Sequence, residues 1–163
     1  MLFRPALVED VPAMLLMVSA ICDLHETNDA ERFEILPDVL DRYAAWLPAR
    51  AVDPRSVFLL AERDDGTFAG FIVGTVEAEV PIFRIAEFGW IHDVWVELDA
   101  RRQGVARELA TRTIAAFKAM GVQQIRLHTA AFNDDARAFF SSIGFRASVV
   151  EMLMTVERPN GSG

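Results

Sequence analysis

Val94-Trp95-Val96-Glu97-Leu98-Asp99-Ala100-Arg101-Arg102-Gln103-Gly104-Val105-Ala106-Arg107-Glu108-Leu109-Ala110 passes from strand to helix within one short turn. The strand reading ends at Val96. From Val105 to Met120 the apolar residues recur at helical spacing, with Ala106, Leu109, Ala110, Ile114 and Phe117 on one stripe. Arg107, Glu108, Thr111, Arg112 and Lys118 form the opposite, polar stripe. Arg101-x-x-Gly104-x-Ala106 opens that helix, and such a place can hold an anion. The first-turn N–H groups have no intrahelical partner, and the helix dipole adds positive charge there. Small residues let a phosphate reach the backbone, and Arg101, Arg102 and Arg107 add cationic side chains. A plain strand-turn-helix with surface arginines would show the same Gly-x-Ala, so the context has to decide.

Working outward, Glu87 to Val96 reads as a strand with Phe88, Trp90, His92, Val94 and Val96 on one side. Val57–Glu62 and Phe68–Val76 flank the turn signal Asp64-Asp65-Gly66 and read as a β-hairpin. Phe3–Ala6 is a short first strand. Asp10 caps a helix whose apolar face is Met14, Leu15, Val18 and Ile21/Cys22. A polar, non-periodic stretch, Asp23 to Glu34, follows. A second helix is expected from Asp38 to Leu47, facing inward through Val39, Leu40, Tyr43, Trp46 and Leu47, with Pro48 and Pro54 stopping it. Downstream, Gln124–Thr129 is a strand and Asn133–Ile143 a helix. Ser148–Val156 is expected as a last strand, and residues 158–163 read as a flexible tail. The order is strand, two helices, three strands, helix, strand, helix, strand. It predicts an α/β fold with helices packed on a mixed sheet, in one domain over residues 1–157.

Composition bounds the function. With 163 residues, 52% hydrophobic and 25% charged, the chain can bury one substantial core. Its one cysteine, Cys22, rules out an intramolecular disulfide and a zinc site built from several cysteines. His25, His92 and His128 are scattered without metal-ligand spacing, so no metal is expected. A net charge of −8 disfavours nucleic acid as a partner. The longest apolar stretch, Val11 to Cys22, is too short to span a membrane, and the N-terminus lacks the pattern of a signal peptide. A cytoplasmic location is the expectation.

Arg101-Arg102-Gln103-Gly104-Val105-Ala106 resembles the Arg/Gln-x-x-Gly-x-Gly/Ala signature of GNAT N-acetyltransferases, placed between the fourth strand and the third helix as in that family. Asn133-x-x-Ala136-x-x-Phe139-Phe140-x-x-x-Gly144-Phe145 looks like the family's second signature, and the spacing between the two agrees. The likeness runs from Phe3 to about Val156. It implies a mixed, mostly antiparallel sheet with splayed fourth and fifth strands and helices on both faces. It also implies acetyl-CoA as donor and direct transfer to an amine of a small molecule or peptide. By that resemblance the pyrophosphate lies on the amides of Arg102, Gly104, Val105, Ala106 and Arg107, beside Arg101 and Gln103. The pantetheine arm pairs with the backbone of Val94 and Val96. Asn133 hydrogen-bonds the pantetheine or adenosine side, and Phe139 or Phe140 packs against the arm. Homodimers are frequent in the family.

The family's general acid is usually Tyr, and Phe140 stands in its place. A phenyl ring has no proton to give, which leaves open an acyl-CoA-binding domain with weak or no turnover; a longer acyl donor or an O-acceptor is a further reading. For the base, His92 titrates near neutrality and sits where similar enzymes place His or Glu. The alternative is a half-buried His that supports the sheet. Asp93 is the second candidate, turned to the other face unless a bulge redirects it. Glu87 is the third. His128 reads as structural, and His25 and Glu26 as part of a loop on the acceptor side.

Overall fold

The computed structural model describes residues 1–156. Its elements are β1 (Leu2–Pro5), α1 (Val11–Asn28), α2 (Val39–Val52), β2 (Ser56–Glu62), β3 (Phe68–Ala78), β4 (Glu87–Val96), α3 (Val105–Ala119), β5 (Ile125–Leu127) and α4 (Asp134–Ser142). The strands form one mixed sheet in the order β1-β2-β3-β4-β5, antiparallel except for the parallel β4–β5 pair. The expected α/β class with a mostly antiparallel sheet is what the chain adopts. Residue contacts divide it into two compact units, one of Met1–Ile21 with Leu36–His128, the other, among the described residues, of Cys22–Ile35 with 129–156.

The sheet lies in the first unit. Hairpin β2–β3 is closed by Gly66 at φ 81°, where Gly66 N–H donates to the Arg63 carbonyl at 2.9 Å. Phe71, Ile72, Val73, Leu60 and Ala61 are fully buried, together with Met14, Val18, Leu47, Leu109 and Phe117 from the helices. Helix α3 lies so close to the sheet that a Cβ on Gly89 would stand 2.8 Å from the Phe117 ring. Helix α2 reaches the opposite face, where Trp46 meets the His92 ring and Tyr43 donates to Asp93. At the N-terminus Arg4 is held by Asp10 and Glu62 at 2.5–2.9 Å, which keeps the Asp10 carboxyl below the usual carboxylate range.

Four expectations are corrected. Helix α1 runs on to Asn28, so His25 and Glu26 are helical rather than part of a loop. A helix needs no apolar periodicity in its last turns once its first turns are anchored, and Val11, Met14, Met17 and Val18 anchor this one. Helix α2 passes through Pro48 to Val52. Proline there deletes one bond to the Ala44 carbonyl, a cost of about 3 kcal/mol, against which stands the complete burial of Leu47. Residues 148–156 form no strand, although their composition suits one. Val149, Val150, Met152, Met154 and Val156 are exposed and have no ladder partner. β propensity describes a fit to neighbours rather than a backbone preference, so composition alone does not make a strand. The fourth correction, in β4, shapes the site. The tail expected over 158–163 lies outside the described residues.

Candidate active site

β4 does not alternate regularly. Its register with β3 pairs Val73 with Asp93 and Gly74 with Ile91, so His92 is the extra residue of a β-bulge. Before it, Gly89 faces Phe117 of α3, and Trp90 and His92 face α2. The bulge resets the alternation, so Asp93 also faces α2 while Val94 and Val96 turn to the α3 side. The expected single row of Phe88, Trp90, His92, Val94 and Val96 is thus broken. His92 and Asp93 become neighbours on one face.

Together with α2 they line a cavity of about 550 Å³ formed by Arg42, Tyr43, Trp46, Trp90, Ile91, His92, Asp93 and His128. The walls are aromatic. Trp46 meets His92 edge-on at 5.1 Å, Trp90 meets His128 at 4.6 Å, and Tyr43 meets Trp46 at 6.1 Å between centroids. Tyr43 Oη donates to Asp93 Oδ2 at 3.1 Å. Arg50 stacks on the Trp46 ring at 5.5 Å, and its Nε has no hydrogen-bond partner. His92 Nε2 lies 2.7 Å from Thr75 Oγ1, which donates to Glu77 Oε1 at 2.5 Å. Burial pushes the His92 pKa down, Glu77 pulls it up, and the Arg50 charge pushes it down again, with a net lowering. His92 is therefore neutral at pH 7 and able to accept a proton.

Just beyond the cavity β4 loses its neighbour. β5 pairs only Ile125–Leu127 with Gly89–Ile91. The splay expected between the fourth and fifth strands is this opening. On the other edge Glu97 N–H donates to the Ala69 carbonyl at 2.9 Å, so the hydrogen-bonded residues of the antiparallel ladder are Glu97, Trp95 and Asp93. The N–H and C=O of Val94 and Val96 then point into the opening. The Val96 carbonyl already accepts a bond from Arg101 Nε at 3.0 Å, and Arg101 is further fixed over the Trp95 ring at 4.9 Å.

The turn that follows is built from backbone. Arg102 has φ 60° and Gly104 φ 84°, and left-handed residues in a turn are the kind of backbone from which anion-binding concavities are made. Gly104 is the N-cap of α3, no side chain caps the helix, and a Cβ on Gly104 would meet nothing within 4 Å. Gly104 thus stands at the positive end of a 15-residue helix whose N-terminus no side chain caps. Gln103 bonds its side chain to the Asp99 carbonyl at 2.7 Å and braces the turn.

The first unit therefore brings together His92, Asp93, Val94, Val96 and residues 101–107. Asn133 and Phe140 belong to the second unit. Asn133 Oδ1 caps α4 by accepting from Ala136 N–H at 3.0 Å, and Phe140 is buried against the rings of Phe139 and Phe145. Glu87 is paired with Arg55 at 2.5 Å. Tyr43, Trp46, Thr75, Glu77 and His128 carry the site without having been singled out as functional; only the helical spacing of Tyr43 and Trp46 hinted that both face inward. Among the described residues no group of three or more His, Cys, Asp or Glu could hold a metal, and no helix is long and apolar enough to cross a membrane.

Residues 19–145 match the Acetyltransferase (GNAT) family. No curated protein matches the chain. A mutant of the BH1408 protein from Bacillus halodurans superposes with a TM-score of 0.84 at 22% identity, covering 96% of this chain and 100% of that one. Glucosamine-6-phosphate N-acetyltransferase from Arabidopsis thaliana gives 0.69 at 15% identity, covering 96% and 98%. AAC(6')-Iy in complex with the bisubstrate analog CoA-S-monomethyl-acetylneamine gives 0.74 at 14%, covering 96% and 97%. At these identities the structures share a fold with this chain.

Proposed function

The chain belongs to the GNAT acetyltransferase family, and from that premise we propose that it transfers an acetyl group directly from acetyl-CoA to a primary amine. The observation that carries the proposal is the layout of β4. Within a few residues it offers a neutral imidazole, an unpaired backbone edge and an anion cradle. The bisubstrate analog bound by one structural neighbour contains CoA, which supports the same donor here.

In this reading the pyrophosphate binds the amides from Arg102 to Arg107, and the pantetheine arm lies along Val94 and Val96 as an added strand. Val94 supplies both of its backbone groups. The Val96 carbonyl is shared with Arg101, so its N–H is the better contact. The arm directs the thioester toward the bulge. His92 takes a proton from the ammonium of the acceptor, whose pKa near ~10 keeps it charged at neutral pH. The freed lone pair attacks the thioester carbonyl, the nitrogen sheds its second proton to solvent or to sulfur, the C–S bond breaks, and the thiolate or thiol leaves. A thiol pKa near ~8.5 makes it a fair leaving group without a tyrosine, so Phe140 is compatible with turnover. Asp93, tied to Tyr43, holds α2 against the strand and contributes negative charge beside the ammonium.

The acceptor fits a small amine with an apolar or aromatic body, since Trp46, Trp90, Tyr43 and the two imidazoles line most of the cavity. The test is an acceptor screen that follows free thiol release from acetyl-CoA. Amine-dependent release, with the amide product identified by mass, is expected. Tight binding of acetyl-CoA with no release for any amine would favour the second reading, a binding domain without turnover, which Phe140 motivates.

A further inference from the structure

Buried polar groups have to be accounted for proton by proton. Thr75 is 3% exposed, and its hydroxyl touches two groups, the Glu77 carboxylate at 2.5 Å and His92 Nε2 at 2.7 Å. A hydroxyl has one proton to give, and a carboxylate accepts but does not donate. Thr75 therefore donates to Glu77 and accepts from His92, which requires the proton of the neutral imidazole to sit on Nε2. That leaves the lone pair on Nδ1, which has no hydrogen-bond partner among the described residues, on a side chain that lines the cavity.

We propose that Thr75 and Glu77 form a hydrogen-bonded relay that fixes the His92 tautomer and makes Nδ1 the atom that takes the acceptor's proton. This rests on the acetyl-transfer reading above and adds two positioning residues to it. The chain of bonds runs His92 Nε2–H to Thr75 Oγ1, then Thr75 O–H to Glu77 Oε1. When Nδ1 takes the ammonium proton, the ring becomes an imidazolium with Nε2–H still bonded to Thr75. Glu77 Oε1, 3.8 Å from Nε2, offsets the new positive charge. No proton moves along the relay. The amine nitrogen forms the bond to the acyl carbon and gives up its second proton to solvent or to the departing thiolate, the C–S electron pair goes to sulfur, and the imidazolium returns its own proton to solvent.

The sequence explains why both residues are available. Thr75 and Glu77 lie two apart on β3 and so share its α2 face, and the β4 bulge brings His92 beside them. The side chain of His92 is 28% and that of Glu77 46% exposed, so the relay has one dry member between two that reach the cavity or the solvent. The other charged or titratable groups around the imidazole are Arg50 and Arg42 on α2, with Tyr43 on the same helix, Asp93 beside it on β4, and His128 after β5. Arg50 opposes protonation and Glu77 favours it.

Two measurements test the relay. Side-chain 15N spectra of the unliganded protein at a pH where His92 is neutral should show the Nε2–H form, with Nδ1 carrying no proton; an Nδ1–H form would overturn the proposal whether or not the protein turns over. Thr75→Val keeps the shape and removes the acceptor, so kcat should fall by about tenfold or more while acetyl-CoA affinity is unchanged. Thr75→Ser should restore most of the rate. If Thr75→Val fails to fold, Glu77→Gln on the half-exposed side chain takes its place. That change removes the group that raises the His92 pKa, so the acidic limb of kcat/KM should move to lower pH and kcat should fall. A purely structural Thr75 or Glu77 would lower melting temperature and leave the limb where it was, and that result would overturn the relay. Thiol release absent from the wild type with every amine would instead sink the acetyl-transfer reading, leaving the tautomer result to stand on its own.

Discussion

The start of α3 holds its geometry with backbone. Arg102 and Gly104 take left-handed dihedrals, no side chain caps the helix, and Gln103 braces the turn through the Asp99 carbonyl. The cavity beside α2, a few residues back along β4, holds its geometry with side chains drawn from four places in the chain, namely α2, β3, β4 and His128. A backbone site is local and tolerates many side chains at its edges. A side-chain site is non-local, and each member has its own role. Substitutions should therefore separate the two regions, affecting donor affinity in one and turnover or acceptor binding in the other.

The largest expected effect is at His92. His92→Ala should lower turnover at neutral pH by roughly 10² or more, with acetyl-CoA affinity by calorimetry nearly unchanged, since the proposed donor contacts are backbone groups. Equal losses in both would merge the two regions into one. Gly104→Glu should do the reverse. It forces a side chain and a negative charge onto the cradle, and acetyl-CoA Kd should rise by at least about tenfold, or about 1.4 kcal/mol. Unchanged affinity in a folded Gly104→Glu protein would remove the pyrophosphate assignment. Trp46→Ala should raise the acceptor KM roughly three- to tenfold without changing donor affinity, in keeping with about 0.5–1.5 kcal/mol for an aromatic contact. A donor effect of the same size would show that this wall serves both substrates. Smallest is Tyr43→Phe, which loses one bond to Asp93 and should cost about 1 kcal/mol of stability in chemical denaturation with the donor Kd unaltered.

The same contrast explains what could be read from the sequence. The α3 turn was legible because Arg101, Gly104 and Ala106 sit at fixed offsets and the backbone they shape is local. β4 was placed with its observed bounds, Glu87–Val96, because an uninterrupted run of strand formers states its own length. Its inner alternation was not legible. The bulge at His92 follows from the register against β3, a pairing between distant residues that no spacing within β4 encodes. Thr75 and Glu77 were invisible as site residues for the same reason, since each looks like an ordinary polar position on a strand. Pro48 misled because the local rule for a helix stop was outweighed by packing around Leu47. The segment 148–156 misled in the opposite direction: its residues suit a strand, and the described chain forms none there.

The central claim is that one strand carries both the donor's edge and the acceptor's base. It is tested most directly by the pH dependence of thiol release at saturating acetyl-CoA, wild type against His92→Ala, between about pH 6 and pH 9. Burial holds the His92 pKa low, so the wild-type imidazole is already neutral over the upper part of that range. The gap between the two proteins should be widest where the amine acceptor is almost entirely protonated, and should narrow steadily as pH rises and free amine accumulates. A gap that stays constant across the range, accompanied by a lower melting temperature in His92→Ala, would contradict the account and return His92 to a role in supporting the sheet.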